Sequence, residues 1–235
     1  FPSAANSMKA IVESSPSASA SPQELVERHR SLMFPWVRPY YGEPLVIDRA
    51  SGVRVRDAHG IEYLDLFAGI LTTSVGHCHP RVVEAITAQA QRLGHTSTLY
   101  VTEAQLRVAE QLAALVPAAL ARFAFTNSGT EAVETAVMAA CAFTGRSEVI
   151  ALRHAYSGRS ALTSNLTGHA GWRPLPTGVA GIKHARAPYV FRSPLGREAS
   201  DERQVDFFID DLVETIETTT NGRPAALIVE SIMGG

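Results

Sequence analysis

A chain of 235 residues, 46% of them hydrophobic, carries enough apolar matter for the core of one large domain or of one and a half. A net charge of −2 with scattered basic residues argues against nucleic acid as a partner, and no apolar run is long enough to span a bilayer. Cys78 and Cys141 lie far apart without CxxC spacing, which excludes a disulfide scaffold and fits free thiols in a reducing compartment, the cytoplasm or an organelle.

The opening, "FPSAANSMKAIVESSPSASASPQ", is rich in Ser, Ala and Pro, so residues 1–22 are expected to be a disordered tail. It has neither the apolar core of a secretory signal nor the arginines of a transit peptide. Met8 is a candidate natural start, with residues 1–7 an upstream remnant. "ELVERHRSLMF" (24–34) predicts a short helix. "PLVIDRASGVRVRDAHGIEYLDLF" alternates apolar and polar residues around "SG" and "HG" turns and predicts an antiparallel meander of two or three strands. Residues 23–75 therefore read as a small α+β segment. A helix is expected from Pro80 to about Leu93, with proline at its first position, where a missing N–H costs nothing. A second is expected from Glu103 to Val116, with capping-box spacing at Thr102 and Gln105 and a stop at Pro117.

The pattern then becomes strand–helix–strand: "RFAFT" as a strand, 129–143 as a helix and "EVIALR" as a buried strand. Residues 157–204 contain Gly and Pro throughout without a sustained period, and read as a long binding loop or interface segment. "VDFFIDDLVETIETT" predicts an amphipathic helix and "AALIVE" another buried strand. The alternation implies an α/β fold with a mainly parallel sheet and helices on both faces.

At "TNSGT" a strand hands over to a helix. The first turn of a helix has unpaired N–H groups and the positive end of the dipole, so an anion can be held there. Gly129 lets the backbone approach a ligand, and Ser128 and Thr130 add hydroxyls. The alternative is that Asn127 or Ser128 simply caps the helix, although a cap needs one side chain and four consecutive small polar residues exceed that need. The spacing matches neither GxGxxG nor a P-loop. In "EVIALRHAYSGRS" the next strand also ends in a candidate site, because ligands of open parallel sheets sit beyond the carboxyl ends of the strands. Tyr156 could lie on a heteroaromatic ring or serve ordinary loop packing. Arg159 could clamp a carboxylate or form a surface ion pair. Together these features suggest a phosphorylated ring cofactor. A different α/β enzyme binding a sugar phosphate or nucleotide at the same helix start remains an alternative.

"FTNSGTEAVETA" resembles the cofactor-phosphate motif of class III aminotransferases, pyridoxal-phosphate enzymes of fold type I. "GIEYLDLFAGILTTSVGHCHPRVVEAI" is similar to the family's N-terminal signature, "HAYSG" to its ring-stacking loop, and "ALIVESIMGG" to the strand entering its Glu-x-x-x-Gly turn. The likeness runs from about Tyr41 to Gly235. "SVGHCHP", "HTST" and "YVFRSPLG" are most similar to the alanine–glyoxylate aminotransferase 2 subgroup.

The resemblance implies a fold type I transferase, with 23–75 belonging to the small domain and 76–235 forming the first part of a large cofactor domain. Gly129 and Thr130, with Ser128 beside them, would bind the phosphate of pyridoxal 5'-phosphate. Tyr156 would cover the ring, Glu230 would lie close to the cofactor, and Arg159 would match a carboxylate-binding arginine of 4-aminobutyrate and ornithine aminotransferases. Where those two enzymes carry a second, gating glutamate this chain has Gly235, which favours the glyoxylate-type subgroup. The implied activity moves an amino group from an alanine-like donor to glyoxylate or pyruvate, in a homodimer acting on small amino and oxo acids. Residues 72–100 would lie near the partner's site. Other ω-amino acids, 4-aminobutyrate and β-alanine among them, are the rival substrates.

The family's Schiff-base lysine and pyridine-binding aspartate follow the Glu230 strand, so both are expected beyond Gly235. The chain is thus expected to be an incomplete N-terminal portion, inactive alone, or a non-catalytic fragment that binds the cofactor weakly. Of the two lysines, Lys9 falls in the tail and Lys183 is expected to be an exposed loop residue. His77 and His79 have no third ligand at metal spacing and are assigned to turn and interface packing. Glu131 and Glu134 are assigned to helix stabilisation, the cysteines to packing, and "TNSGT" is not a G-x-S-x-G elbow.

Overall fold

The structure is a computed structural model that describes residues 20–37, 39, 41–173 and 178–234. The expected tail to residue 19, with Met8 and Lys9, and the position of Gly235 lie outside them. The chain packs as two compact units, divided between Val101 and Thr102.

In the first unit, α1 spans Pro22–Leu32. Its start is a complete capping box: the Ser21 hydroxyl accepts the Glu24 N–H at 3.2 Å, and Glu24 Oε2 accepts the Ser21 N–H at 2.7 Å. Strands β1 (Ile47–Ser51), β2 (Arg54–Asp57) and β3 (Glu62–Leu64) form the expected antiparallel meander in that order. Burial pushes the carboxyl of Asp57 up. The N–H of Ile61, the Tyr63 hydroxyl and the N–H of His59 more than offset this and hold it below its ordinary range. Helix α2 spans Pro80–Arg92, as the sequence predicts. Asp65 organises the connection. Its Oδ1 accepts the N–H groups of Phe67 and Ala68, both at 2.9 Å, and its Oδ2 lies 2.7 Å from His77 Nε2. His77 is therefore engaged in a hydrogen bond with Asp65 and, through its backbone, in a bridge to Gly52.

In the second unit, α3 spans Glu103–Ala113. The Thr102 side chain makes no cap bond, so the capping box read from its spacing does not form. The helix also ends short of Val116, because a residue before proline is driven out of helical conformation and Leu115 turns back to Leu112. "RFAFT" is not a strand: residues 121–126 are irregular, with no ladder partner among the described residues. Then follow α4 (Gly129–Thr144), β4 (Val149–Leu152), α5 (Ala161–Leu166), β5 (Ile182–Ala185), α6 (Asp201–Thr219) and β6 (Ala226–Leu227). The "AALIVE" strand is real but keeps only two residues. The sheet is parallel, in the order β5-β4-β6.

Central strand β4 is buried at all four positions, which is why it reads as an unbroken apolar run. Its side chains alternate between two cores. Ile150 and Leu152 join Ala185, with Leu212 and Ile216 of α6 packed against them. Val149 and Ala151 join Val137 of α4 and Leu166 of α5. Helices thus cover both faces. Burying Val149, Ile150 and Leu152 is worth roughly 1.5–3 kcal/mol each.

The stretch 157–204 is not structureless, because it contains α5 and β5. The loop expected around Lys183 is strand β5, paired through Lys183 with Ile150. Lys183 is half-buried, on the same strand face as Ala185 and hence on the α6 side of the sheet. Proline and glycine bracket the strand so closely that its four residues show no period of their own.

On the other face of β5, the His184 Nε2–H donates to the carbonyl of Leu166 at 3.3 Å. Burial lowers its pKa. That hydrogen bond opposes the shift, and the charges of Arg173 and Arg153 add to it. The imidazole is more easily protonated in the unfolded chain, so acid favours unfolding. The melting temperature should fall as pH drops below about 6.5, the ordinary histidine value, and through the depressed folded value. His184→Gln should flatten that part of the profile, which thermal melts between pH 7 and pH 5 will test.

Candidate functional site

The carboxyl ends of the parallel strands and the start of α4 meet in one place. Ser128 is the N-cap of α4, and its hydroxyl accepts the Glu131 N–H at 3.1 Å. Glu131 Oε2 in turn accepts the Asn127 N–H at 2.7 Å. The cap proposed from the sequence therefore exists, and it consumes one side chain and one helical N–H. The N–H groups of Gly129 and Thr130 have no acceptor among the described residues. Gly129 is exposed, and a Cβ built on it would meet nothing within 4 Å. Capping and two open amides thus coexist: the cap uses the hydroxyl of Ser128 and leaves the next two N–H groups available to an anion.

Beyond β4 the chain enters the loop Ala155–Ser160. Gly158 is buried, with φ +132°, and a Cβ there would lie 2.5 Å from Thr130 Oγ1 and 2.6 Å from Thr163 Oγ1. Only glycine satisfies both the backbone angle and the space. The loop therefore sits directly on the first turn of α4, and the Arg159 N–H donates to Thr130 Oγ1 at 3.3 Å. Thr130 gives its hydroxyl to the loop, while its N–H has no acceptor among the described residues.

Tyr156 is 42% exposed, with its ring edge-on to Trp172 at 6.3 Å and 74°. Its N–H donates to Glu230 Oε2 at 2.8 Å, so the residue beyond β6 fixes the backbone that carries the ring. Arg159 is exposed, and its guanidinium has no carboxylate partner among the described residues. Ser128, Gly129, Thr130, Tyr156, Arg159 and Glu230 are thus brought to one edge of one unit. Lys183 is not among them.

The sequence reading missed the residues that hold the loop. Glu134, assigned above to helix stabilisation, reaches across to accept the Ser160 hydroxyl. Thr163 and Thr167, both fully buried, accept the N–H groups of Ser160 and Ser157. The available signal was "SALT", a Ser-x-x-Thr spacing that caps α5 reciprocally.

The edge combines open amides at a helix start, an exposed aromatic ring and an unpaired guanidinium, and this donor set suits an anionic, ring-bearing ligand. The chain matches the aminotransferase class-III family over residues 37–235. It is 34% identical over 219 residues to "Alanine--glyoxylate aminotransferase 2 homolog 2, mitochondrial" of Arabidopsis thaliana, covering 93% of this chain and 44% of that protein. It is 40% identical over 171 residues to the acetylornithine aminotransferase of Methanothermobacter thermautotrophicus, covering 71% of this chain and 41% of that one. Among solved structures, an (S)-enantioselective omega-transaminase from Thermomicrobium roseum superposes with a TM-score of 0.80 at 30% identity, over 92% of this chain and 50% of that one. The chain spans less than half the length of these curated relatives.

Proposed function

This chain belongs to the class III aminotransferases, and from that premise we propose that its second unit is the phosphate- and ring-holding half of a pyridoxal-phosphate site that transfers amino groups. The observation that carries the proposal is the pair of amides at Gly129 and Thr130 with no acceptor among the described residues, at a helix start with open space at the Gly129 Cβ position and with the Tyr156-bearing loop fastened to it. The group fits the residues: a phosphate monoester would take the two N–H groups and the positive end of α4, and Tyr156 would cover one ring face.

When bound, pyridoxal phosphate supplies an aldehyde that captures the amino group and a ring that accepts electrons as the α-proton leaves. The residues of this chain bind and orient. The cradle fixes the ring's anchor point, Glu230 fixes the Tyr156 backbone, and Arg159 is free to meet a substrate carboxylate. Orientation of this kind lowers a barrier without any proton transfer by these groups. The chemistry also needs a lysine. Lys183 lies on the α6 side of β5, and Lys9 is outside the described residues. On the family resemblance we assign the amine to a lysine beyond Gly235, which the greater length of the relatives allows.

The Arabidopsis relative's name supports an alanine-like donor with glyoxylate as acceptor; pyruvate as an alternative acceptor and a homodimer are part of the same proposal. The free cysteines fit the cytoplasm or a reducing organelle interior, and that relative is named as mitochondrial. No helix among the described residues is long and apolar enough to cross a membrane.

Titration of the chain with pyridoxal phosphate, followed by visible absorbance and competed by inorganic phosphate, tests the site. Tyr156→Ala should weaken binding roughly 2- to 12-fold, the worth of one aromatic contact, and Tyr156→Phe should not. Binding that ignores both Tyr156→Ala and the competitor would remove the proposal.

A further inference from the structure

Four N–H groups of the Tyr156–Ser160 loop are held by side chains from three directions. Tyr156 donates to Glu230 Oε2 at 2.8 Å, Ser157 to Thr167 Oγ1 at 3.0 Å, Arg159 to Thr130 Oγ1 at 3.3 Å and Ser160 to Thr163 Oγ1 at 3.0 Å. Helix α4 grips the same loop twice. Thr130 takes the Arg159 N–H, and Glu134, one turn further along the same helix face, takes the Ser160 hydroxyl. The helix that presents the anion cradle is therefore also the helix to which the aromatic loop is fastened.

We propose that Glu134 is a positioning residue: through Ser160 it locks the Tyr156–Ser160 loop to α4, so that anion cradle and aromatic plate move as one body and hold the cofactor together. The cofactor part rests on the pyridoxal-phosphate reading above, whereas the lock itself rests on geometry alone. A carboxylate suits the task, because a hydrogen bond to a charged acceptor is stronger than one between neutral groups. The Ser160 oxygen also accepts the Thr163 N–H at 3.2 Å, and Thr163 Oγ1 lies 2.9 Å from it. The cap of α5 therefore survives when Glu134 is removed, which separates positioning from folding.

The test uses the whole chain with Glu134→Ala, Glu134→Gln, Ser160→Ala and the Glu134→Ala/Ser160→Ala double variant. Without ligand, amide hydrogen exchange across 155–160 should quicken about tenfold in Glu134→Ala, remain close to wild type in Glu134→Gln, and be unchanged across β4. The dissociation constant for pyridoxal phosphate should rise about tenfold in Glu134→Ala, at least as much in Ser160→Ala, which also loses the α5 cap, and no further in the double than in Ser160→Ala, since the two side chains act as one contact. Wild-type exchange at 155–160 in Glu134→Ala, or losses that add in the double variant, would overturn the lock. If exchange quickens across the whole unit, rescue by Glu134→Gln supports positioning, and a Gln variant as loose as the Ala variant overturns it. A loosened loop in a chain whose wild type binds no pyridoxal phosphate leaves the lock standing and overturns the cofactor reading.

Discussion

Gly129→Asp is expected to weaken pyridoxal-phosphate binding at least a hundredfold while leaving the melting temperature unchanged or slightly raised. The two effects have opposite signs because the position has two roles. As the first residue of α4 it tolerates a side chain, since a Cβ there meets nothing within 4 Å. A carboxylate in the first helical turn is favourable by roughly 0.3–1 kcal/mol. As part of the proposed anion cradle it cannot accept one. Two like charges about 4 Å apart at a protein surface repel by about 4 kcal/mol, and each 1.4 kcal/mol is a factor of about ten. Absorbance titration and a thermal melt on the same preparation measure both. Unchanged affinity would show that the cofactor phosphate does not dock at these amides.

Gly168→Ala is expected to cost the second unit roughly 3 kcal/mol, at the upper end for overpacking, and to lower its melting temperature by about 10 °C. The new methyl would lie 2.5 Å from the carbonyl oxygen of Leu152, 2.7 Å from Arg153 Cα and 2.7 Å from the nitrogen of His154. All three are backbone atoms where β4 ends, so no side chain can turn away to make room. Gly168 also donates its N–H to Ala155 at 2.8 Å, which pins the segment after α5 onto the loop carrying Tyr156. The loss should therefore reach the site, and calorimetry of wild type and variant will show whether it does.

How much of this was legible in the sequence depended on whether a residue's partner was near in the chain. "TNSGT" and "HAYSG" could be read because a helix start and a strand end declare themselves within a few residues. The meander, α2, α4 and α6 were legible by their periods, and the buried β4 by its unbroken apolar run. The strand expected at "RFAFT" failed because pairing is a property of neighbours, and no described strand lies beside it. Strand β5 was hidden for a related reason: four residues between glycine- and proline-rich turns carry too little pattern, and Lys183 reads as solvent-facing until Ile150 is seen opposite it. Glu134 was legible as a helical carboxylate but not as a tether. Its partner Ser160 lies 26 residues further on, and only the fold brings them together.

The bond between Tyr156 and Glu230 joins residues 74 apart in sequence. A ribosome adding about 5–20 residues per second takes roughly 4–15 s to make that interval. During it β4 has been made but lacks its β6 neighbour, leaving one edge of the apolar run "VIAL" without a hydrogen-bonding strand. The nascent chain should therefore lean on chaperones in this window, and the edge joined by Tyr156 and Glu230 should be the last part of the second unit to close.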